Sequence, residues 1–264
     1  MDLRCHQLRC HTGSFQLGPV DFHLPPASCL ALVGPNGSGK STLLRALSGL
    51  LPSTGEILLD EHALGGMGTR QRARAMCLLP QQEEGGSAFR VEDYVLLGRH
   101  AHVGLFGHYS SHDRAVAVDA MERTGCLPWR ARRLDTLSGG ERQLVRLAAA
   151  LAQEARILLL DEPGTFLDPG QRRRLWERLQ AARRDRGLGL VLVTHDVNEA
   201  LEHGDQVLAL EQGRVVRQGA VDLLLEADWV GRLFQLPLKA ASVEGRQRPL
   251  LVELSASREG SQTP

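Results

Sequence analysis

Long apolar runs are missing from this sequence of 264 residues. The longest apolar stretches, such as ILLL at 157–160, have the length of a buried strand, whereas a membrane-spanning helix needs roughly 18 apolar residues. The first ten residues, MDLRCHQLRC, lack the apolar core of a secretory signal peptide. We therefore expect a chain that does not cross a membrane and is not secreted.

The sequence also lacks net charge and closely spaced cysteines. Its 31 lysine and arginine residues equal its 31 aspartate and glutamate residues, which argues against a nucleic-acid partner bound through bulk positive charge. The cysteines form no C-x-x-C pair and no metal-ligand spacing, so we expect reduced thiols in a cytosolic protein, with Cys5 and Cys10 in an early strand pair. The five cysteines are Cys5, Cys10, Cys29, Cys77 and Cys126.

What is present is a hydrophobic content of 42% and an alternation of short apolar runs with helical segments. This alternation predicts an α/β fold with a largely parallel sheet. Helices are predicted over 40–51, from Ser138 to about Glu154, and over 169–187. The predicted strands are SCLALVG (28–34), GEILLD (55–60), the end of RARAMCLLPQ (72–81), RILLLDEP (156–163), GLVLVTHD (189–196) and a hairpin (205–219) around Gln212-Gly213.

Residues from about 85 to 135 differ in composition from the rest of the chain. GRHAHVGLFGHYSSHDR (98–114) clusters histidine and glycine, and AVAVDAMERTG (115–125) has helical spacing. We interpret this region as an inserted helical subdomain, which spans about 85–150 when the start of the following helix is included. The main domain is predicted over 1–240, and an extension over 241–264 ends in polar residues that are expected to fray.

The segment GPNGSGKST fits the phosphate-loop pattern G-x-x-x-x-G-K-[ST], follows an apolar strand and opens a helix. Glycines let backbone N–H groups converge on phosphate oxygens, and the helix N-terminus adds a positive dipole end. Lys40 is expected to contact the β- and γ-phosphates, and the Ser41 hydroxyl is expected to bind Mg²⁺. The predicted nucleotide-binding residues are Gly34, Pro35, Asn36, Gly37, Ser38, Gly39, Lys40, Ser41 and Thr42.

Two carboxylates, Asp161 and Glu162, end the apolar run ILLL. A buried parallel strand delivers its last residues to the ligand edge of the sheet, so Asp161 is expected to hold Mg²⁺, partly through water, and Glu162 to act as general base. The alternative is that the two carboxylates only cap a helix. His195 in VLVTHD is expected at the γ-phosphate, and the amide of Gln81 is suited to Mg²⁺ and water.

A second glycine pair, in LSGGE, stands about a hundred residues after the first and resembles the signature of ATP-binding cassette ATPases. The motifs GPNGSGKST, LPQ, LSGGERQ, ILLLDEP, FLD (166–168) and THD follow one another in the order of that family. The resemblance covers roughly residues 1–235. The signature residues are Leu137, Ser138, Gly139, Gly140 and Glu141.

This resemblance implies a P-loop NTPase core with a mainly parallel sheet, an antiparallel β subdomain and an inserted helical subdomain. It also implies hydrolysis of ATP with Mg²⁺ by a head-to-tail dimer of two copies. In that dimer the signature of one copy faces the γ-phosphate held by the other, which explains why one chain carries two glycine sites. Asp168, in the D-loop position, is expected to link the two sites across the interface.

Two positions depart from the family pattern. An aromatic residue that stacks on adenine is common upstream of the first buried strand, where our alignment places His11, with Phe15 nearby. The usual DEPT is DEPG here, with Gly164 in place of threonine. The second change is expected to loosen the loop that leads to Asp168 without removing a catalytic group.

The run from Gly98 to Arg114 resembles a segment of the ATPases that serve ferric-siderophore, haem and cobalamin importers. The matching residues are Gly98, Arg99, His102, Gly104, Gly107, Ser110, Asp113 and Arg114. The resemblance implies membrane permease subunits, a substrate-binding protein and a peripheral position on the cytoplasmic face of the inner membrane. Ferric siderophore is the expected cargo, and cobalamin and haem are alternatives. Exporter ATPases and cassettes of translation or DNA maintenance are further alternatives, although the latter typically carry two cassettes or a coiled-coil insertion.

Overall fold

The computed structural model describes residues 1–81, 88–104, 107–165, 167–246 and 248–254. Some predictions concern residues outside these ranges: the frayed end (255–264), the first residues of the inserted subdomain (85–87), Leu105 and Phe106 of the run 98–114, and Phe166 of the FLD motif. Within the described ranges, no helix has the length and apolar character needed to cross a membrane.

The described part of the chain alternates strands and helices, as predicted. The strands are β1 (Leu3–Thr12), β2 (Phe15–Leu24), β3 (Cys29–Val33), β4 (Ser53–Leu59), β5 (His62–Ala63), β6 (Met76–Leu79), β7 (Ile157–Asp161), β8 (Gly189–Val193), β9 (Gln206–Glu211), β10 (Arg214–Ala220), β11 (Leu238–Ala241) and β12 (Leu250–Glu253). The helices are α1 (Lys40–Leu47), α2 (Thr69–Ala75), α3 (Val91–Leu97), α4 (Ser111–Thr124), α5 (Gly139–Ala152), α6 (Pro169–Arg186), α7 (Val197–His203) and α8 (Ala227–Phe234). Short 3₁₀ helices lie at Leu64–Gly66, Gly98–His102, Leu127–Trp129, Leu134–Thr136 and Val221–Leu225.

The central sheet has the strand order β10-β9-β3-β8-β7-β6. Its pairs are parallel except for the antiparallel hairpin of β9 and β10. Every residue of β3, β7 and β8 is buried, which is typical of parallel strands covered on both faces. The predicted α/β class with a mainly parallel sheet is confirmed. Because β3, β6, β7 and β8 run in the same direction, the residues that follow them meet at one edge.

A second, antiparallel sheet has the order β2-β1-β4-β5. Cys5 and Cys10 both lie in β1 and are buried, so the expected early strand pair is confirmed. The buried leucines of β1 and β2 pack in one cluster with those of α1 and with β7 and β8. This cluster holds α1, and with it the predicted phosphate loop, between the two sheets.

Helices α3, α4 and α5 pack against one another and continue the core that covers the other face of the central sheet. Arg99, which is 2% exposed, ties this part together. Its guanidinium donates to Asp113 Oδ1 at 3.1 Å, to Glu154 Oε2 at 2.8 Å and to the carbonyl oxygen of Ala152 at 2.6 Å. Hydrogen bonds from Ser110, helped by Arg99, lower the pKa of Asp113 to about 2. Two residues of the run that resembles importer ATPases therefore pair inside the chain.

The C-terminal part contains structure that the sequence did not suggest. β11 and β12 form an antiparallel hairpin. Asn198 of α7 joins β12 through two hydrogen bonds with Leu251: its amide donates to the carbonyl oxygen at 2.9 Å, and its side-chain oxygen accepts from the N–H at 2.8 Å. The predicted boundary between residues 240 and 241 falls inside β11, so the division of the chain at this point stays a prediction.

Candidate functional site

The loop between β3 and α1 carries the GPNGSGKST segment at the carboxyl edge of the central sheet. Gly34 has a φ of 147°, a conformation that side-chain-bearing residues rarely adopt. A β-carbon there would also collide with the carbonyl oxygen of Leu210. Glycine is therefore required at this position, where the loop passes close to β9 before α1 begins.

Lys40 opens α1 and is only 6% exposed. Its ammonium group donates to the carbonyl oxygens of Gly34 at 2.7 Å and Pro35 at 2.9 Å. Burial lowers the pKa of Lys40, while the negative charges of Glu162 and Asp161 act in the opposite direction. The lysine is thus held over the loop, where an anion could replace the two carbonyl groups as its partner.

Asp161 ends β7 and is buried next to the start of α1. The Ser41 hydroxyl donates a hydrogen bond to its carboxylate. Burial raises the pKa of Asp161, Glu162 raises it further, and the Ser41 hydrogen bond and Lys40 oppose this rise. A hydroxyl and a carboxylate side by side are oxygen ligands of the kind that Mg²⁺ takes, so the residues present fit that metal.

Glu162, Gln81 and His195 come from three neighbouring strand ends and meet in one cluster. The side-chain amide of Gln81 donates to Glu162 Oε2 at 2.8 Å. His195 Nδ1 lies 3.3 Å from Glu162 Oε1. The three side chains that the sequence predicted to be catalytic are therefore brought into contact.

A cavity of about 720 Å³ lies in front of these residues. Its volume suits a nucleotide-sized ligand. Phe15 contributes an aromatic wall, and His11 is not among the described residues that line the cavity, so the aromatic ring comes from a position other than our alignment indicated. The lining residues are Thr12, Phe15, Asn36, Gly37, Gly39, Lys40, Ser41, Thr42, Gln81, Glu162, Val193 and His195.

Four of the residues predicted to bind the nucleotide or Mg²⁺ or to be catalytic are not in that lining. Gly34, Pro35 and Ser38 form the loop behind it, and Asp161 is reached through Ser41. A second cavity of about 700 Å³ lies between α6, α7 and the stretch from Arg246 to Leu250. None of the predicted site residues in the described ranges lines this second cavity.

The signature segment occupies a different place. Ser138 is the N-cap of α5: its hydroxyl accepts from the N–H of Glu141 at 3.2 Å, and the Glu141 carboxylate accepts from the N–H of Ser138 at 2.7 Å. Ser138 and Gly139 are exposed, Leu137 and Gly140 are buried, and none of the five signature residues lines the 720 Å³ cavity. The segment is a capped helix start that lies outside the cavity of its own chain.

The signature is nevertheless connected to Asp168 within the chain. Asp168 caps α6 by accepting from the N–H of Gln171 at 2.8 Å. The amide of Gln171 in turn lies directly over Gly140, where a β-carbon would collide with it. A further link is the side-chain amide of Gln143, which donates to the carbonyl oxygen of Pro163 at 3.1 Å.

Sequence reasoning missed Thr165, Gln143 and Gln171. The Thr165 hydroxyl donates to Glu162 Oε2 at 3.0 Å. Its spacing of three residues from Glu162 is a usable signal, because a tight turn brings such residues together. No comparable signal exists for the contact of Gln143 with Pro163 or of Gln171 with Gly140, since only the folded chain places these segments side by side.

Comparison with known proteins agrees with this geometry. A family model described as ABC transporter matches residues 17–165. The chain is 35% identical over 254 residues to the ferric enterobactin transport ATP-binding protein FepC of Escherichia coli strain K12, and the match covers 96% of this chain and 94% of that protein. It is 41% identical over 245 residues to the hemin import ATP-binding protein HmuV of Myxococcus xanthus strain DK1622, with 89% and 90% covered.

Solved structures show the same architecture. A chain from an inward-facing ABC transporter, proposed to be of the metal-chelate type, superposes with a TM-score of 0.83 at 28% sequence identity. The superposition covers 96% of this chain and 97% of that chain. The similarity therefore extends beyond the phosphate loop to the whole described fold.

Proposed function

We propose that this chain, which belongs to the ABC transporter family, is the subunit that drives import of ferric siderophores. Family membership makes it an ATP-binding ATPase. The observation that supports the cargo is the 35% identity to the ferric enterobactin protein over nearly the full length of both chains. Haem is the second candidate, because the hemin import protein is 41% identical over 89% of this chain. Cobalamin stays a prediction from the sequence.

The proposed chemistry begins with binding of the ATP phosphates by the loop 34–42 and Lys40. Glu162 Oε1 accepts a proton from a water molecule, the resulting hydroxide forms a bond to the γ-phosphorus, and the bond to the ADP oxygen breaks. His195, which lies beside Oε1, positions the γ-phosphate. Gln81, which donates to Oε2, holds the carboxylate and orients the water.

Mg²⁺ bound at Ser41, Asp161 and Gln81 would neutralise the phosphate charge that develops in the reaction. Asp161 is buried beside Ser41, and its proposed role is to hold the metal partly through water. Lys40 lies near both Asp161 and Glu162, as their effect on its pKa indicates. Its positive charge offsets the negative charge of the two carboxylates, which allows a polyphosphate to bind beside them.

We also propose that two copies of this chain form a head-to-tail dimer around ATP. The exposed Ser138 and Gly139 lie outside the cavity of their own chain, and in the dimer they contact the γ-phosphate held by the other copy. Asp168 and Gln171 connect this contact to the loop that follows Glu162. The dimer acts on membrane permease subunits at the cytoplasmic face of the inner membrane, together with a substrate-binding protein.

The test is uptake by cells whose only copy of the protein is Glu162→Gln. We expect labelled ferric siderophore to stay outside these cells, because ATP binds but does not turn over. Glu177→Gln, the same change at an exposed position of α6, serves as control and is expected to support normal uptake.

Labelled haem and labelled cobalamin distinguish the alternatives in the same cells. Loss of haem uptake with normal siderophore uptake would replace the proposed cargo with haem. Loss of cobalamin uptake alone would favour the prediction from the sequence. Normal uptake of all three would contradict an importer function of this group.

A further inference from the structure

The two carboxylate oxygens of Glu162 have different partners. Oε2 accepts two hydrogen bonds, from the Gln81 amide at 2.8 Å and from the Thr165 hydroxyl at 3.0 Å. Oε1 lies 3.3 Å from His195 Nδ1. Two donors therefore hold Oε2, while Oε1 lies beside His195, a residue that lines the cavity.

The backbone places Thr165 for this contact. Glu162 has a φ of 49°, which turns the chain sharply after β7. The N–H of Glu162 donates to the carbonyl oxygen of Val193 at 3.0 Å, and the N–H of Thr165 donates to that of Glu162 at 3.3 Å. The resulting turn brings the hydroxyl of Thr165 back to the side chain of Glu162.

Position 164 is not available for the same task. Gly164 is buried, and a β-carbon there would lie 3.2 Å from Glu199 Oε1 and 3.3 Å from Arg172 Nε. Glu199 cannot easily give way, because it accepts hydrogen bonds from the Thr194 hydroxyl at 2.6 Å and the Trp176 indole at 3.0 Å. The space beside Gly164 is thus occupied, and the hydroxyl that reaches Glu162 comes from the next residue.

We propose that Thr165 is a positioning residue for Glu162, which it holds by Oε2 so that Oε1 faces the attacking water. This inference rests on the proposed role of Glu162 as general base. Gln81 has a second proposed task as a ligand of Mg²⁺ through its side-chain oxygen, so its amide is shared between the metal and Glu162. Thr165 has no such second proposed task, and its hydroxyl is a donor to Oε2 that does not depend on the metal.

The experiment compares Thr165→Val, which keeps the shape and loses the donor, with Thr165→Ser, which keeps the donor. A hydrogen bond to a charged group is stronger than a neutral one, and Thr165 is exposed in the single chain. We therefore expect kcat of the ATPase to fall about tenfold in Thr165→Val, with little change in the KM for ATP. Thr165→Ser is expected to stay near the unchanged chain.

A double variant separates an action through Glu162 from any other role. In a Glu162→Gln background, Thr165→Val is expected to cause no further loss of the residual rate. It is also expected to leave the ATP-dependent dimer of Glu162→Gln intact. Thermal unfolding of each variant checks that the fold is retained, and Thr165→Ala replaces Thr165→Val if the latter unfolds.

Three results would overturn the inference: a normal kcat in Thr165→Val, an equal loss in Thr165→Ser, or a loss of the ATP-dependent dimer in the double variant. The last result would assign Thr165 to the contact between copies. A different result, normal turnover by Glu162→Gln itself, would contradict the proposed role of Glu162 as general base. It would overturn the inference through this premise and so is distinguishable from the three results above, which test the role of Thr165.

Discussion

Helices α1 and α5 each begin at a glycine-rich motif, GPNGSGKST and LSGGE, and the two sites are built in opposite ways. The loop before α1 has no side-chain cap at Gly39, and its lysine is turned back onto its own carbonyl groups. The segment before α5 is closed by a reciprocal cap between Ser138 and Glu141. The first site opens into a cavity, whereas the second lies on the surface.

This difference shows that a glycine-rich helix start does not define a function by itself. The N–H groups and the dipole at a helix N-terminus favour an anion in both places. Only the first site adds a buried lysine, a pair of carboxylates and a cavity of nucleotide size. The second site is a capped helix start whose exposed Ser138 and Gly139 lie outside the nucleotide-sized cavity, so it is suited to a ligand that another molecule presents.

The largest expected effect follows from blocking the second site. In Ser138→Arg, a long side chain occupies the surface that the partner's phosphate must approach, and the cap of α5 is lost. The proposed dimer brings the signature into contact with the γ-phosphate, and Ser138→Arg prevents that contact. We therefore expect turnover to fall at least ~100-fold, while the single chain still binds ATP. Steady-state hydrolysis and titration with a fluorescent ATP analogue measure the two quantities.

Ser138→Thr is the matched control, because threonine also caps helices. It is expected to hydrolyse ATP at nearly the normal rate. Normal turnover in Ser138→Arg would mean that the segment is an ordinary helix start, and the contrast between the two sites would disappear.

A smaller effect is expected when the first site loses its lysine. Lys40→Ala removes a charge-assisted contact to phosphate, so ATP affinity is expected to fall about 10- to 100-fold. Arg45→Ala, an exposed change on the same helix, is expected to bind ATP normally. Unchanged affinity in Lys40→Ala, measured by calorimetry, would remove the lysine from its proposed role.

The smallest effect concerns stability without nucleotide. Burial raises the pKa of Asp161 in the folded chain. Between the pKa of this carboxyl group in the unfolded chain and its higher pKa in the folded chain, the folded state binds more protons than the unfolded state. The free energy of unfolding therefore falls as pH rises through that range. At neutral pH the charged form is therefore a cost to the fold. Asp161→Asn is expected to raise the melting temperature by a few degrees while it weakens Mg²⁺-dependent hydrolysis.

Asp185→Asn, at an exposed position of α6, is the control and is expected to leave the melting temperature in place. A lower melting temperature for Asp161→Asn would mean that the hydrogen bond from Ser41 outweighs the cost of burial. The first site would then be as well satisfied as the capped start of α5.

Much of the fold and site follows from local patterns. The buried strands β3, β7 and β8 are built from apolar runs. Gly34 and Glu162 directly follow β3 and β7, and His195 is the second residue after β8, so all three lie at the ligand edge. Spacing along the chain was therefore sufficient to predict that these residues meet. The cap at Ser138 was not predicted, although a glutamate three residues later is a usable signal for it.

The remainder depends on contacts between distant segments. The β11–β12 hairpin has short strands that carry exposed residues, and its attachment through Asn198 has no signature in the sequence. The aromatic wall is Phe15, the first residue of β2, rather than His11, which lies near the end of β1. Gln171 over Gly140 is also a product of packing alone.

Mixing two impaired variants tests most directly whether the two glycine sites act on one nucleotide from different chains. At ATP concentrations too low to fill the first site of Lys40→Ala, this variant lacks a working first site, and Ser138→Arg lacks a working second site. In a head-to-tail dimer that contains one of each, one composite site keeps both Lys40 and Ser138. An equal mixture forms mixed dimers in about half of its pairs, so we expect about a quarter of the normal ATPase rate to return. If the mixture stayed as inactive as its components, the signature would not act on the nucleotide of a second copy.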